Sequence, residues 1–235
     1  MEKKDIGSEQ ARVNCMVSQY SDIAVENYRN AVLLYKEMDK VHFKEMMLQE
    51  QYQIFYQKVV ISAVFSAMAI EAFINNYAAA CLGDNFFYEN FDRLSIIGKL
   101  QLISKFLFEK EVDKGKEYYY CLKTTFSLRD KLVHSKSSSL YDFITSKGYI
   151  LHEDEEDAQQ RDGVECIEAF AFDKEELKAD LNQARTAINA MKKIAEYFDE
   201  NDSGIHAMLF FFHIGNTYSD KYKIYYDTYR EFGLV

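Results

Sequence analysis

Seven consecutive residues, Leu128-Arg129-Asp130-Lys131-Leu132-Val133-His134, bring together a permanently charged guanidinium, a carboxylate and the side chain that titrates near neutrality. Asp130 and His134 stand four residues apart, so on a helix they share one face and the carboxylate can orient the imidazole. Arg129 lies five residues before His134, about 140° away around an ideal helix. The long arginine side chain, or a distorted last turn, must close that angle if the two are to share a substrate. The natural substrate for such a pair is a phosphodiester. A guanidinium holds phosphate oxygens bidentately and stabilises the charge of a pentacoordinate transition state. A histidine exchanges the proton of a ribose 2′-hydroxyl or of the leaving oxygen. That division of labour needs no metal and no cofactor.

A second residue stands out because of its surroundings. Glu71 interrupts the apolar run from Val59 to Leu82, and a buried carboxylate must be paired or protonated. Arg129 from a neighbouring helix is the expected partner, with Asn75 one turn further on. Two roles stay open for Glu71: a helix-to-helix salt bridge without catalytic part, or an organiser of the site. In the first case His134 simply caps a helix C-terminus, where the dipole favours a cation.

Other clusters carry less. His206 and His213, seven apart amid Met208 to Phe212, read as core residues rather than a metal pair. Glu153-Asp154-Glu155-Glu156-Asp157 reads as a solvated loop, because adjacent carboxylates repel and lack fixed geometry. Cys15, Cys81, Cys121 and Cys166 are scattered without a C-x-x-C pair, which suggests neither a disulfide framework nor a zinc site.

The elements that must position the motif are helical. The 235 residues contain no proline, where ordinary usage of about 5% predicts roughly a dozen, and helix interiors are where proline is least tolerated. Residues 1–18 are polar and expected to fray. Ser21 is the expected N-cap of a first helix to Met38, with Ile23, Val25, Tyr28, Val32, Leu33 and Tyr35 inward. A second helix ends at Gly83. Its apolar half is long enough to span a membrane, but Glu71, Asn75 and Asn76 make a helix buried among other helices the better reading. An aromatic loop, Asn85 to Arg93, precedes a third helix capped by Ser95, with Ile96, Ile97, Leu100, Ile103, Phe106 and Leu107 as its stripe. A fourth runs from about Lys116 to Val133 with Tyr119, Leu122, Phe126 and Leu132 inward, and ends in the motif.

Between residues 140 and 172 the pattern changes. Leu140 to Ile144 and Tyr149 to Leu151 flank Ser146-Lys147-Gly148 as a β-hairpin, and Val164 to Phe172 alternates like a third short strand. Asp173 with Glu176 then opens a fifth helix with Leu177, Leu181, Ala184, Ile188, Met191, Ile194 and Phe198 on one face. The expected organisation is a polar N-terminus (1–18), an all-α, up-and-down helical bundle (19–204) with a β-hairpin insertion around 140–172, and an aromatic C-terminal extension (205–235) packed on the bundle or on a partner chain. The 18 Tyr and 18 Phe are expected in cores or interfaces rather than stacked on bases.

A net charge of −10 disfavours sequence-independent attraction to phosphate backbones, so any nucleic-acid contact must be local. Lys131 and Lys136 beside the motif are the candidate RNA contacts. Met1 is followed by Glu-Lys-Lys-Asp rather than an apolar leader, which points to a cytoplasmic protein.

The helical run Phe65 to Asn75, then Gly98-Lys99-Leu100, then Leu128 to His134, resembles the HEPN superfamily (higher eukaryotes and prokaryotes nucleotide-binding), whose signature is arginine, a polar residue, three variable residues and histidine. The resemblance covers about residues 20 to 200. It implies a four- or five-helix bundle that dimerises and joins two copies of the motif in a cleft. Many members are metal-independent endoribonucleases that act as toxins, in toxin–antitoxin pairs or phage defence, and leave a 2′,3′-cyclic phosphate. By the resemblance, Arg129 stabilises the phosphate, His134 is the general acid or base, and Asp130 fills the polar position where asparagine is commoner. A nucleotidyltransferase-like antitoxin is the implied partner. The alternative is a non-catalytic HEPN-like nucleotide-binding or protein-interaction module.

Overall fold

The longest stretch free of proline and glycine forms the longest helix. In a computed structural model, which describes residues 16–40, 47–133 and 174–212, α2 spans Met47–Leu82, 36 residues or about 54 Å. Gly83 ends it with a left-handed φ of 88°, a conformation that a side chain disfavours. Around it stand α1 (Val17–Lys40), α3 (Asp84–Asn90), α4 (Ile96–Phe106), α5 (Glu117–Val133), α6 (Lys174–Asn201) and α7 (Ala207–Phe212). Every regular element among the described residues is an α-helix, and they pack as a bundle.

Side-chain contacts give the helix directions. The Tyr20 ring of α1 meets Phe65 of α2, edge to face at 5.7 Å, so α1 doubles back along α2. Phe73 and Tyr77 of α2 meet Phe198 at 4.9 and 4.8 Å, and the Tyr77 hydroxyl donates to Asp202 Oδ2 at 2.7 Å. Hence α6 runs parallel to α2. The first turn of α5 sits at the C-terminal end of α6, with Tyr118 stacked on Tyr197 at 4.4 Å, whereas Arg129 near its other end reaches Glu71, about a third of the way back along α2. Accordingly, α5 is antiparallel to both.

The core between these helices is aromatic. Phe73, Tyr77, Phe108, Tyr197, Phe198 and Phe211 form one connected set of ring contacts, in line with the expectation that these rings serve packing. The fifth-helix stripe of the sequence is the inner face of α6, where Leu177, Ala184, Ile188, Met191, Ile194 and Phe198 are buried and Leu181 is half-buried. Within Gln51–Leu82 an 18-residue window is apolar enough for a membrane span, and half of that window is buried inside the bundle.

Several expectations need correction. Ser21 is not an N-cap: α1 begins at Val17, because Val17 is itself buried and extends the helix one turn. The buried Ser21 hydroxyl instead donates to the Val17 carbonyl at 2.8 Å, and residues 17 and 18 belong to the helix rather than to a frayed end. Leu33 points outward, 43% exposed. The aromatic loop is largely helical, because Phe87 and Phe91, one turn apart, are both buried and the Gly83 carbonyl accepts the Phe87 N–H at 3.0 Å. Phe106 is 68% exposed: it sits about 80° from the centre of the α4 stripe, and Phe108 beyond the helix end takes the core place. His206 is exposed rather than core. Ser95 does cap α4, its Oγ accepting the Gly98 N–H at 3.2 Å. The hairpin and third strand of 140–172, Asp173, and residues 213–235 with His213 lie outside the described residues.

Candidate functional site

Arg129 lies on α5 just before its last turn, in which Lys131 is the basic residue. Its side chain crosses the Phe126 ring, with the guanidinium carbon 4.8 Å from the centroid, an arrangement that favours a planar cation. Two carboxylates then fix its rotation. Nη1 donates to Glu71 Oε2 at 2.8 Å, while Nε and Nη2 both donate to Asp130 Oδ1, at 3.0 and 2.8 Å. The side chains remain partly accessible: Arg129 is 25% exposed, Glu71 38% and Asp130 55%. Thus the expected Glu71–Arg129 pair forms, at the rim of the bundle rather than deep inside it.

Asn75, one turn beyond Glu71 on α2, serves a different cation. Its Oδ1 accepts from Lys99 Nζ at 2.8 Å. Lys99 is only 2% exposed, and its ammonium stands 5.7 Å from the centre of the Phe87 ring. Burial holds its pKa below the ordinary lysine range, against the opposing pull of Glu71 and then Asp92. The site is therefore a row of charged and polar groups across three helices: Lys99 on α4, Asn75 and Glu71 on α2, and Arg129 with Asp130 on α5.

Lys99 is the member that motif reading passed over as a site residue. A signal was present, since Ile96, Lys99, Leu100 and Ile103 fall at the 3, 4 and 7 spacing of a buried face. A lysine in such a stripe asks for a partner. Phe87, at the lysine, and Phe126, under the arginine, are the aromatic supports. Lys131 is exposed on α5, close to Arg129 along the chain. His134 and Lys136 lie outside the described residues. Among the described residues no group of three His, Cys, Asp or Glu gathers as metal ligands would.

Chemically, the Nε/Nη2 edge of Arg129 is the edge a phosphate grips bidentately, and Asp130 holds it. Glu71 holds the other end. The arrangement can present an oriented cation to an oxyanion that displaces the exposed Asp130 carboxylate. Comparison with protein-family models, curated proteins and solved structures finds no match.

Proposed function

We propose that this chain is a metal-independent endoribonuclease of HEPN type, with a toxin or phage-defence role in the cytoplasm. The observation that carries the proposal is the oriented Arg129 guanidinium, partly exposed and anchored by Glu71, near the end of the helix that directly precedes His134 in sequence. The scissile phosphate takes the Nε/Nη2 edge in place of Asp130. A ribose 2′-oxygen attacks phosphorus as its proton passes to a base, the bond to the 5′-oxygen breaks, and that oxygen leaves protonated. His134 mediates the proton exchange. The products are a 2′,3′-cyclic phosphate and a 5′-hydroxyl. Two copies of the chain join their motifs, which supplies the second arginine and histidine that one motif lacks, and Lys131 and Lys136 contact the RNA backbone. A nucleotidyltransferase-like antitoxin is the proposed partner.

The purified protein is incubated with total RNA or tRNA in chelator, beside Arg129→Ala and His134→Ala. Cleavage by the wild type that falls on the order of 10²- to 10⁴-fold in His134→Ala is expected. Equal cleavage by all three proteins, or none by any, refutes it.

One observation favours a second reading. Three of the five guanidinium N–H groups are already engaged by Glu71 and Asp130, as in a structural ion pair of a non-catalytic nucleotide-binding or protein-interaction module. Nucleotide or protein binding that survives His134→Ala, without nuclease activity, would identify it.

A further inference from the structure

The outward side of α5 carries a regular pattern that the packing of the bundle does not use. Lys116, Tyr120, Lys123, Ser127 and Lys131 are all exposed, at spacings of 4, 3, 4 and 4, which keeps them within about 80° of one another around a helix. Lys116 stands just before the first residue of α5 but shares its register, since its carbonyl accepts the Tyr120 N–H at 3.3 Å. Both acidic residues of α5 are engaged, Glu117 by Lys193 at 3.3 Å and Asp130 by Arg129 at 2.8 Å. Lys116, Lys123 and Lys131 make no ion pair or side-chain hydrogen bond among the described residues. Tyr120 is 66% exposed, and its ring meets no other ring among the described residues. In a chain of net charge −10, the outer face of α5 is thus a strip of cations with one bare aromatic ring among them.

That combination fits a single nucleic-acid strand. The lysines stand about 10.5 and 12 Å apart along the axis, so the strip spans roughly six or seven nucleotides at about 3.4 Å each. An exposed ring stacks on a base whose face is free, which a duplex does not offer. An acidic peptide would satisfy the lysines and leave the ring unused. We propose that the outer face of α5 is a binding track for single-stranded RNA, with Lys116, Lys123 and Lys131 on backbone phosphates, the Ser127 hydroxyl donating to the backbone and the Tyr120 ring under one base. The strand passes Lys131 next to Asp130, which holds the Nε/Nη2 edge of Arg129. As a substrate path the track rests on the ribonuclease proposal; as a binding surface it is measured without cleavage.

The probe is a fluorescein-labelled 2′-O-methyl oligoribonucleotide of about 12 nucleotides, which lacks the attacking hydroxyl and stays intact. Its anisotropy is titrated with the full chain between about 50 and 200 mM salt. Three lysine contacts give an expected log–log salt slope of about −2 for a single strand. Lys123→Gln should reduce that slope by about 0.7, whereas Tyr120→Ala should weaken binding about tenfold and leave the slope unchanged. Lys178→Gln, at an exposed lysine of α6, should change neither. No binding by the wild type overturns the proposal. So does wild-type binding by Lys123→Gln or Tyr120→Ala, or a duplex or polyglutamate of equal charge that binds as tightly as the strand. Strand binding with the expected variant effects, but no cleavage of unmodified RNA, refutes the ribonuclease proposal and leaves the track standing. Cleavage with strand binding indifferent to both variants does the opposite.

Discussion

The Glu71–Arg129 pair lends itself to a double-mutant cycle with Glu71→Gln, Arg129→Met and the combination. Two unit charges about 4 Å apart attract by ~1 kcal/mol in bulk water and ~4 kcal/mol at an effective dielectric constant of 20. The contact is close, 2.8 Å, but the side chains are 25% and 38% exposed, which draws the value toward the aqueous end. Asp130 shares the guanidinium and remains in place when Glu71 is neutralised, which lowers the coupling again. The expected coupling energy is therefore about 1 kcal/mol. Urea unfolding of the four proteins measures it. Raising the salt from about 0.1 M to 1 M, which shortens the Debye length from ~10 to ~3 Å, should reduce it. A coupling under about 0.3 kcal/mol at low salt, the ordinary scatter of additivity, would refute the claim that α2 and α5 are tied here.

Stability should depend on pH through Lys99. Burial lowers its folded-state pKa, so between that value and the ordinary lysine value the unfolded chain binds more protons than the folded one, and stability rises with pH across that window. The stability of the wild type relative to Lys99→Met should accordingly increase as the pH rises toward the ordinary lysine value in urea titrations, and a flat difference up to that value contradicts a buried, charged lysine. Thr125, one turn before Arg129 on α5, buries a hydroxyl that has no hydrogen-bond partner among the described residues. Thr125→Val replaces that hydroxyl with a methyl group of the same shape and should stabilise the bundle by ~1 kcal/mol, read as a rise in Tm; a lower Tm would mean that the hydroxyl is satisfied after all.

Sequence alone determined the helical class and most of the inner faces. The absence of proline and the 3, 4 spacing of apolar residues in α4 and α6 act locally, through backbone geometry and the need to bury one stripe. The same local logic placed Arg129 and Asp130 near the end of a helix and marked Glu71 as a carboxylate in need of a partner. Local rules failed where distant packing outweighed them. Ser21 is a good cap by type, but burial of Val17 carried α1 past it, and the aromatic loop became α3 because two rings one turn apart found the core. What only the tertiary structure decided is which charges meet. Asn75 answers Lys99 rather than Arg129, and Arg129 bridges Glu71 and Asp130. Both outcomes depend on the direction and rotation of α4 and α5 against α2, which are set by packing summed over whole helix faces and by no residue in the motif itself.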